Sequence, residues 1–390
     1  MQPYRHLASR YHRVKKFWRS IMRIARLVLV LLVVVTFLTV PAAAQEAEDS
    51  ERIASLLDQM EEAVLNQDRD TYLSYVEQSD PVFALEHRRW ADDWTERSPV
   101  DLFKLHLENL NVEGENATAD LTMRWSLRDN PRNQEASLKV QFRRDDQGNW
   151  LFAGEYWYTL ENEHFRVHAA PGLEDLAETV LGMMPEIYAY ATDHMDFEPE
   201  GLLEIKLYRD GEALVAMTLL SLPRIAGWNE PGEALKLVGR LSGDSEGYLK
   251  TVLTHEFTHM LSFEMANESH GNNPWWLEEG IAEYISSTYW SEGRQDYTVN
   301  EVREYLDDGK LAPWDQISDF NNTPEHMWQY VYPQGYVFVR YVTESYGEER
   351  RNEWLSLIAT EMPLPEATLE VFQITFEELD ASFQAWLAEQ

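Results

Sequence analysis

Two histidines four residues apart, His255 and His259 in LTHEFTHMLSFEM, followed from 273 to 284 by NPWWLEEGIAEY, restrict this 390-residue chain more than any other stretch. On an α-helix, residues i and i+4 share one face about a turn apart. Both imidazoles therefore project together, at the spacing from which two ligands reach one tetrahedral zinc ion. Glu256 then lies beside the ion, where a base can take a proton from a water that the metal activates. A pair on one helix needs another ligand from elsewhere in the fold. Asn273 is placed to cap a second helix with Pro274 in its first turn, and that helix presents Glu278, Glu279 and Glu283. Gly280 reads as the point where the two helices approach closely at the ion.

The spacing separates the glutamates. Glu279 has Glu283 one turn further on, on its own face, able to accept the free ring N–H of a ligand histidine, whereas Glu278 has only Ala282 there. The metal ligands expected are thus His255, His259 and Glu279, with Glu283 behind them and Glu278 as the rival to Glu279.

HEFTH followed by WLEEGIAEY resembles the glutamate-zincin (gluzincin) peptidases, and most closely the group called peptidase MA-like, relatives of the thermolysin and membrane alanyl aminopeptidase families. The resemblance implies that the glutamate just before the Gly or Ala of the second helix, here Glu279, is the third ligand. The nineteen residues between His259 and Glu279 are one more than is usual in the aminopeptidases, which keeps Glu278 in view. The family also uses a tyrosine opening a Y-x-x-G helix. Tyr332-Pro333-Gln334-Gly335, followed by YVFVRYV and Tyr346-Gly347, matches that segment and its order. A phenol held across the metal donates a hydrogen bond to the oxygen that becomes negative. His326 is the rival to Tyr332. The resemblance covers about 160 to 390, with its motifs between 255 and 335. A metzincin would need Gly and His at positions held by Ser262 and Met265.

The chain begins with a basic stretch, eight Lys/Arg and no acid in 26 residues, then the apolar run LVLVLLVVVTFLTV and PAAAQ. Basic region, short apolar region and an A-x-A site ending at Ala44 are the parts of a secretory signal peptide, 1–44, with an uncleaved signal anchor as the alternative. Either leads to an extracytoplasmic protein, secreted or membrane-anchored through this segment. There is no cysteine, so no disulfide framework supports the fold. Without the signal, 25 basic residues face 68 acidic ones, a net charge of −43. Such a surface repels phosphate backbones and anionic lipid, which argues against nucleic-acid partners and leaves the N-terminal segment as the one route to a membrane.

The fold class expected is α+β. Ile53, Leu56, Leu57, Met60 and Val64 fall on one helical face, and past Pro99 the period changes to two. Ala117, Ala119, Leu121, Met123 and Trp125 alternate with polar residues, as do Ala136, Leu138, Val140 and Phe142, and the turn DDQGNW leads to a strand near 150 to 157. This pattern is similar to the cone-shaped fold of nuclear transport factor 2 and the SnoaL-like proteins. A boundary near 160 divides an accessory domain, 45–160, from a gluzincin domain, 161–390. The latter opens with strands at 164–169, 202–208 and 234–239 and a helix over 173–193, and is mainly helical from about 245. Trp90, Trp94 and His106 form no catalytic constellation, so the first domain reads as a scaffold or the binding place of an unknown protein partner.

These readings combine into an exported zinc metallopeptidase acting on a peptide or polypeptide, with Zn2+ as cofactor, Glu256 as general base and Tyr332 as oxyanion donor. The aminopeptidases' G-x-M-E-N stretch has no counterpart in PGEALKLVGRLSGDSEG. ALKLVG reads as a strand at the sheet edge to which an extended substrate adds, favouring an endopeptidase, while Glu233 is the candidate amine anchor for an aminopeptidase. The alternative from another class is an inert exported binding or assembly module that keeps the fold.

Overall fold

The structure, a computed structural model, describes residues 42–390 apart from 223–224, 240–245, 268 and 361. The signal segment up to residue 41 lies outside the described residues. Among the described residues no helix is long and apolar enough to cross a membrane.

Three helices come first: α1 (Ala42–Leu65), α2 (Arg69–Ser74) and α3 (Pro81–Asp92). Asp80 caps α3 by accepting from the N–H groups of Val82 and Phe83, with Pro81 in the first turn where no N–H is needed. The helix runs on into a π turn, Asp93–Arg97. Four antiparallel strands follow in meander order, β1 (Val100–Glu113), β2 (Asn116–Leu127), β3 (Gln134–Arg144) and β4 (Trp150–Glu155). The expected α1 face and the alternating residues of β2 and β3 form one core, Leu138 excepted, which packs against it part-buried. β1 was not marked by the alternation that revealed β2 and β3. Its register shifts between Glu108 and Asn111, which breaks the period of two.

A second sheet begins at β5 (Tyr158–Glu161), a few residues before the boundary of 160, and continues with β6 (Phe165–Ala169). Helix α4 (Glu174–Met195) crosses over to β7 (Leu203–Tyr208). Helix α5 (Gly211–Thr218) then returns to the first core, where Leu214, Ala216 and Leu220 are fully buried. The strands β8 (Gly227–Trp228) and β9 (Leu235–Val238) complete the order β5-β6-β7-β9-β8, with β6, β7 and β9 parallel. This corrects one expectation. The ALKLVG strand is not the edge: Gly227 and Trp228 pair antiparallel with Leu237 and Lys236 and cover it, so the free edge belongs to β8. A segment of two residues carries no periodicity, and the sequence showed it only as a loop.

The rest is helical: α6 (Glu246–Met265), α7 (Trp275–Ser286), α8 (Glu292–Asp307), α9 (Trp328–Tyr346), α10 (Glu348–Ala359), α11 (Leu364–Phe372) and α12 (Phe376–Leu387). These helices, α4 and the second sheet share one core, which includes Leu253, Phe257, Leu261, Trp276, Phe338 and Trp354. The architecture is α+β: an antiparallel sheet with helices, then a mainly helical C-terminal part.

Candidate metal centre

Leu253, Phe257 and Leu261 fix the roll of α6 by burying one stripe in the core. His255 and His259 consequently face α7. Their Nε2 atoms lie 3.1 Å apart, and Glu279 Oε2 is 3.3 Å from the first and 3.4 Å from the second. A tetrahedral ion about 2.0–2.1 Å from each donor separates its ligands by about 3.3–3.4 Å, so this triangle has the size of a metal site. Glu279 Oε2 is buried and, among the described residues, has no partner in hydrogen-bond geometry; the two imidazole nitrogens face it at ion-pair distance. An orphaned carboxylate oxygen beside two imidazole nitrogens is an arrangement that a cation resolves. His255, His259 and Glu279 together can therefore bind a metal.

The atoms pointing away from that centre are committed. His255 Nδ1 lies 3.4 Å from Glu283 Oε1 and His259 Nδ1 lies 3.2 Å from Glu278 Oε1. Each ring thus turns Nδ1 to a carboxylate and leaves Nε2 for the ion, which fixes the tautomer and raises ligand basicity. Glu283 is where the i+4 argument put it. Glu278, weighed only as a rival ligand, instead backs His259, and Ser262 Oγ and Asn273 Nδ2 each donate to its other oxygen at 2.9 Å. Adjacent positions on a helix diverge by about a third of a turn. Glu279 therefore faces between the rings while Glu278 reaches the far side of His259.

Two further expectations change. Asn273 does not cap α7. Pro274 holds the N-cap position, and the first N–H groups of the helix donate to the carbonyls of Ser318 (2.8 Å) and Ile317 (3.2 Å), which frees Asn273 for Glu278. Gly280 does not serve the approach of α6. A Cβ there would lie 2.6 Å from the Gly335 carbonyl, and one on Gly335 would lie 2.2 Å from the Trp276 carbonyl oxygen, so α7 and α9 touch backbone to backbone. This contact carries Tyr332, one turn before Gly335, to the centre. Its ring is 6.5 Å from that of His255 and nearly parallel to it, and 6.3 Å from Trp275. Trp275 Nε1 donates to Glu279 Oε1 at 3.0 Å, leaving Oε2 aimed between the histidines. The sequence analysis gives Trp275 no part in the site; its i,i+4 spacing to Glu279 is the available signal. His326 is exposed in the turn Glu325–Met327.

Glu256 sits on the β8 side of α6. A Cβ on Gly227 would lie 2.9 Å from its Oε1, and Asn229 Nδ2 donates to its backbone carbonyl at 2.9 Å. Burial pushes the Glu256 carboxyl above its ordinary range, against the opposing pull of His255 and His259. Burial lowers the proton affinity of His255, but Glu279 and Glu283 override it and raise the ring to about 9; His259 is raised as well, chiefly by Glu279 and Glu278. Desolvation at the phenol oxygen and then the charge of Glu279 push the Tyr332 phenol up, although the side chain as a whole is exposed, so it is a hydrogen-bond donor at neutral pH. Glu233 is unavailable as an amine anchor, since its carboxylate is buried between Arg89 (2.8 Å) and Lys236 (2.5 Å).

Residues 237–389 match the family model of the Peptidase MA superfamily. None of the curated proteins matches the chain. Three solved structures are similar over smaller parts. A protein of unknown function from Mycobacterium tuberculosis is 16% identical over 29% of this chain and 72% of its own, with a TM-score of 0.25. A conserved protein from Planctomyces limnophilus is 18% identical over 27% and 92%, with a TM-score of 0.24. A SEC-C motif containing protein from Rhodopseudomonas palustris is 21% identical over 24% and 69%, with a TM-score of 0.20. Scores this low carry no conclusion about function.

Proposed function

We propose that this chain is an exported zinc metallopeptidase that cleaves within extended polypeptides. One observation carries the reading: two imidazole Nε2 atoms and an orphaned carboxylate oxygen converge, while each ring's Nδ1 is turned to a separate glutamate. The Peptidase MA superfamily is typically metal-dependent, which agrees with it. Nitrogen–nitrogen–oxygen ligation with open positions suits zinc in a catalytic role, where it polarises a carbonyl and lowers the pKa of water.

The chain's own residues supply the rest. Glu256 accepts a proton from the attacking water and returns it to the leaving amine, and burial raises its proton affinity above that of an ordinary carboxylate. Tyr332 donates to the carbonyl oxygen as it becomes negative, and Trp275 fixes Glu279. Changing Tyr332 to Phe is expected to lower turnover about a hundredfold or more with metal retained, because one oxyanion donor is lost. Turnover equal to wild type would remove Tyr332 from the chemistry.

Internal cleavage is supported by β8. Among the described residues its outer edge, next to Glu256, is unpaired, and an extended substrate can add there as a further strand. The carboxylate that would hold a free amino terminus, Glu233, is already paired. Matched peptides with free and acetylated amino termini test this: similar rates are expected, and strong dependence on the free amine would restore the aminopeptidase. Export rests on the sequence of the first 44 residues alone, and amino-terminal sequencing of secreted protein tests it.

A further inference from the structure

We infer that α3 and its π turn hold the edge strand β8 in place beside Glu256, which makes the N-terminal half a working part of the site; what the strand binds rests on the peptidase reading above. A strand of two residues cannot fix its own register. Among the described residues β8 pairs with β9 alone, and the Val238 N–H to Ala226 carbonyl bond, 2.8 Å, continues that pairing by one step. Its position is set by what grips the chain on either side.

The buried grips centre on α3 and its π turn; outside them, Trp125 Nε1 on β2 donates to the Leu220 carbonyl at 3.2 Å and His270 Nε2 lies 2.9 Å from Glu230 Oε2. Ahead of β8, Trp90 Nε1 donates to the Ala216 carbonyl at 2.9 Å, and Asp93 accepts from Ser221 N–H at 3.0 Å and Ser221 Oγ at 2.5 Å. Behind it, Arg89 binds Glu233 at 2.8 Å, and Glu86 Oε1 accepts from Lys236 Nζ at 2.9 Å and from Ala234 N–H at 3.3 Å. The other Glu86 oxygen binds Lys206 on β7. Glu86, Asp93, Lys206, Glu233 and Lys236 are all buried. In a medium of low polarisability these pairs are strong and leave no free alternative partner, so they define position. Burial lowers the proton affinity of both lysines, and the surrounding carboxylates more than offset it.

β8 in turn meets the site directly. Gly227 lies so close to the Glu256 carboxylate that a Cβ there would force it to shift, and Asn229 bonds the Glu256 carbonyl. Lys236, the residue that Glu86 and Glu233 hold, is the cross-strand partner of Trp228. A shift of the grip is therefore a shift of the edge on which substrate would lie. An ordinary domain interface would hold the two halves together without bracketing one short strand.

The test uses the full chain with Arg89→Gln and, separately, Asp93→Asn. Arg89 is one-third exposed, so its loss leaves the fold in place and Glu233 with one partner. Amide exchange within 225–238, Val238 above all, is expected to quicken about tenfold while amides of His255 to Leu261 stay protected. KM for a peptide should rise several-fold with kcat and metal content retained, and Arg89→Lys should recover part of the loss. Unchanged exchange in both variants, or equal acceleration along the whole chain, would overturn the inference. So would a fall in kcat at constant KM. If the wild type cleaves no peptide, the peptidase reading fails on its own and the exchange result still decides whether α3 holds β8.

Discussion

Replacing Glu256 by glutamine is expected to lower peptide hydrolysis by about a hundredfold to ten-thousandfold, the range for losing a general base, with metal content and melting temperature unchanged. The substitution is isosteric, so the amide occupies the same place beside Gly227. It cannot accept the proton. His255, His259 and Glu279 do not depend on Glu256 for any hydrogen bond, so the metal triangle is left intact. This variant also separates the peptidase from an inert binding module, which metal content cannot do because an inert domain could keep its ion. If a broad peptide library yields no substrate on which Glu256→Gln differs from wild type, the binding module is the better reading.

The parts of this molecule that were legible in the sequence are those governed by periodicity. Ile53 to Val64 form a helical stripe, and Ala117 to Trp125 form an alternating strand, because in each case one face is buried and the other wet. The same rule led from His255 to His259 and from Glu279 to Glu283. What escaped was set by contacts between segments far apart in the chain. β8 is too short to carry a period, and only its pairing with β9 reveals that ALKLVG is an inner strand. Gly280 fits a close approach to any neighbour, and the choice of Gly335 over α6 is a matter of packing. Asn273 reads as a cap until the loop carbonyls of Ile317 and Ser318 take that task. The role of α3 could not be read at all, since Glu86 and Lys236 are 150 residues apart and acquire meaning only through mutual burial.

Glu279→Gln and Glu278→Gln test the centre most severely, because neighbouring carboxylates are assigned different tasks. In Glu279→Gln the amide has two orientations. With its oxygen toward the histidines, its NH2 meets the Trp275 N–H donor; with its oxygen on Trp275, it offers the ion a group without a lone pair. Either way a bond is lost, and metal affinity should fall beyond what any outer residue controls. Glu278→Gln also breaks a network, but one step removed. Its second oxygen accepts from both Ser262 and Asn273, and its first faces His259 Nδ1. An amide nitrogen must now oppose either Asn273 or the His259 N–H that leaves Nε2 free for metal. Loss of such a partner typically costs about 10–100-fold in metal affinity. The order expected from competitive chelator titration is wild type, then Glu278→Gln, then Glu279→Gln, with the last losing its ion outright at chelator concentrations the second survives. A Glu278→Gln protein that loses metal more readily than Glu279→Gln would exchange the two assignments and make Glu278 the ligand.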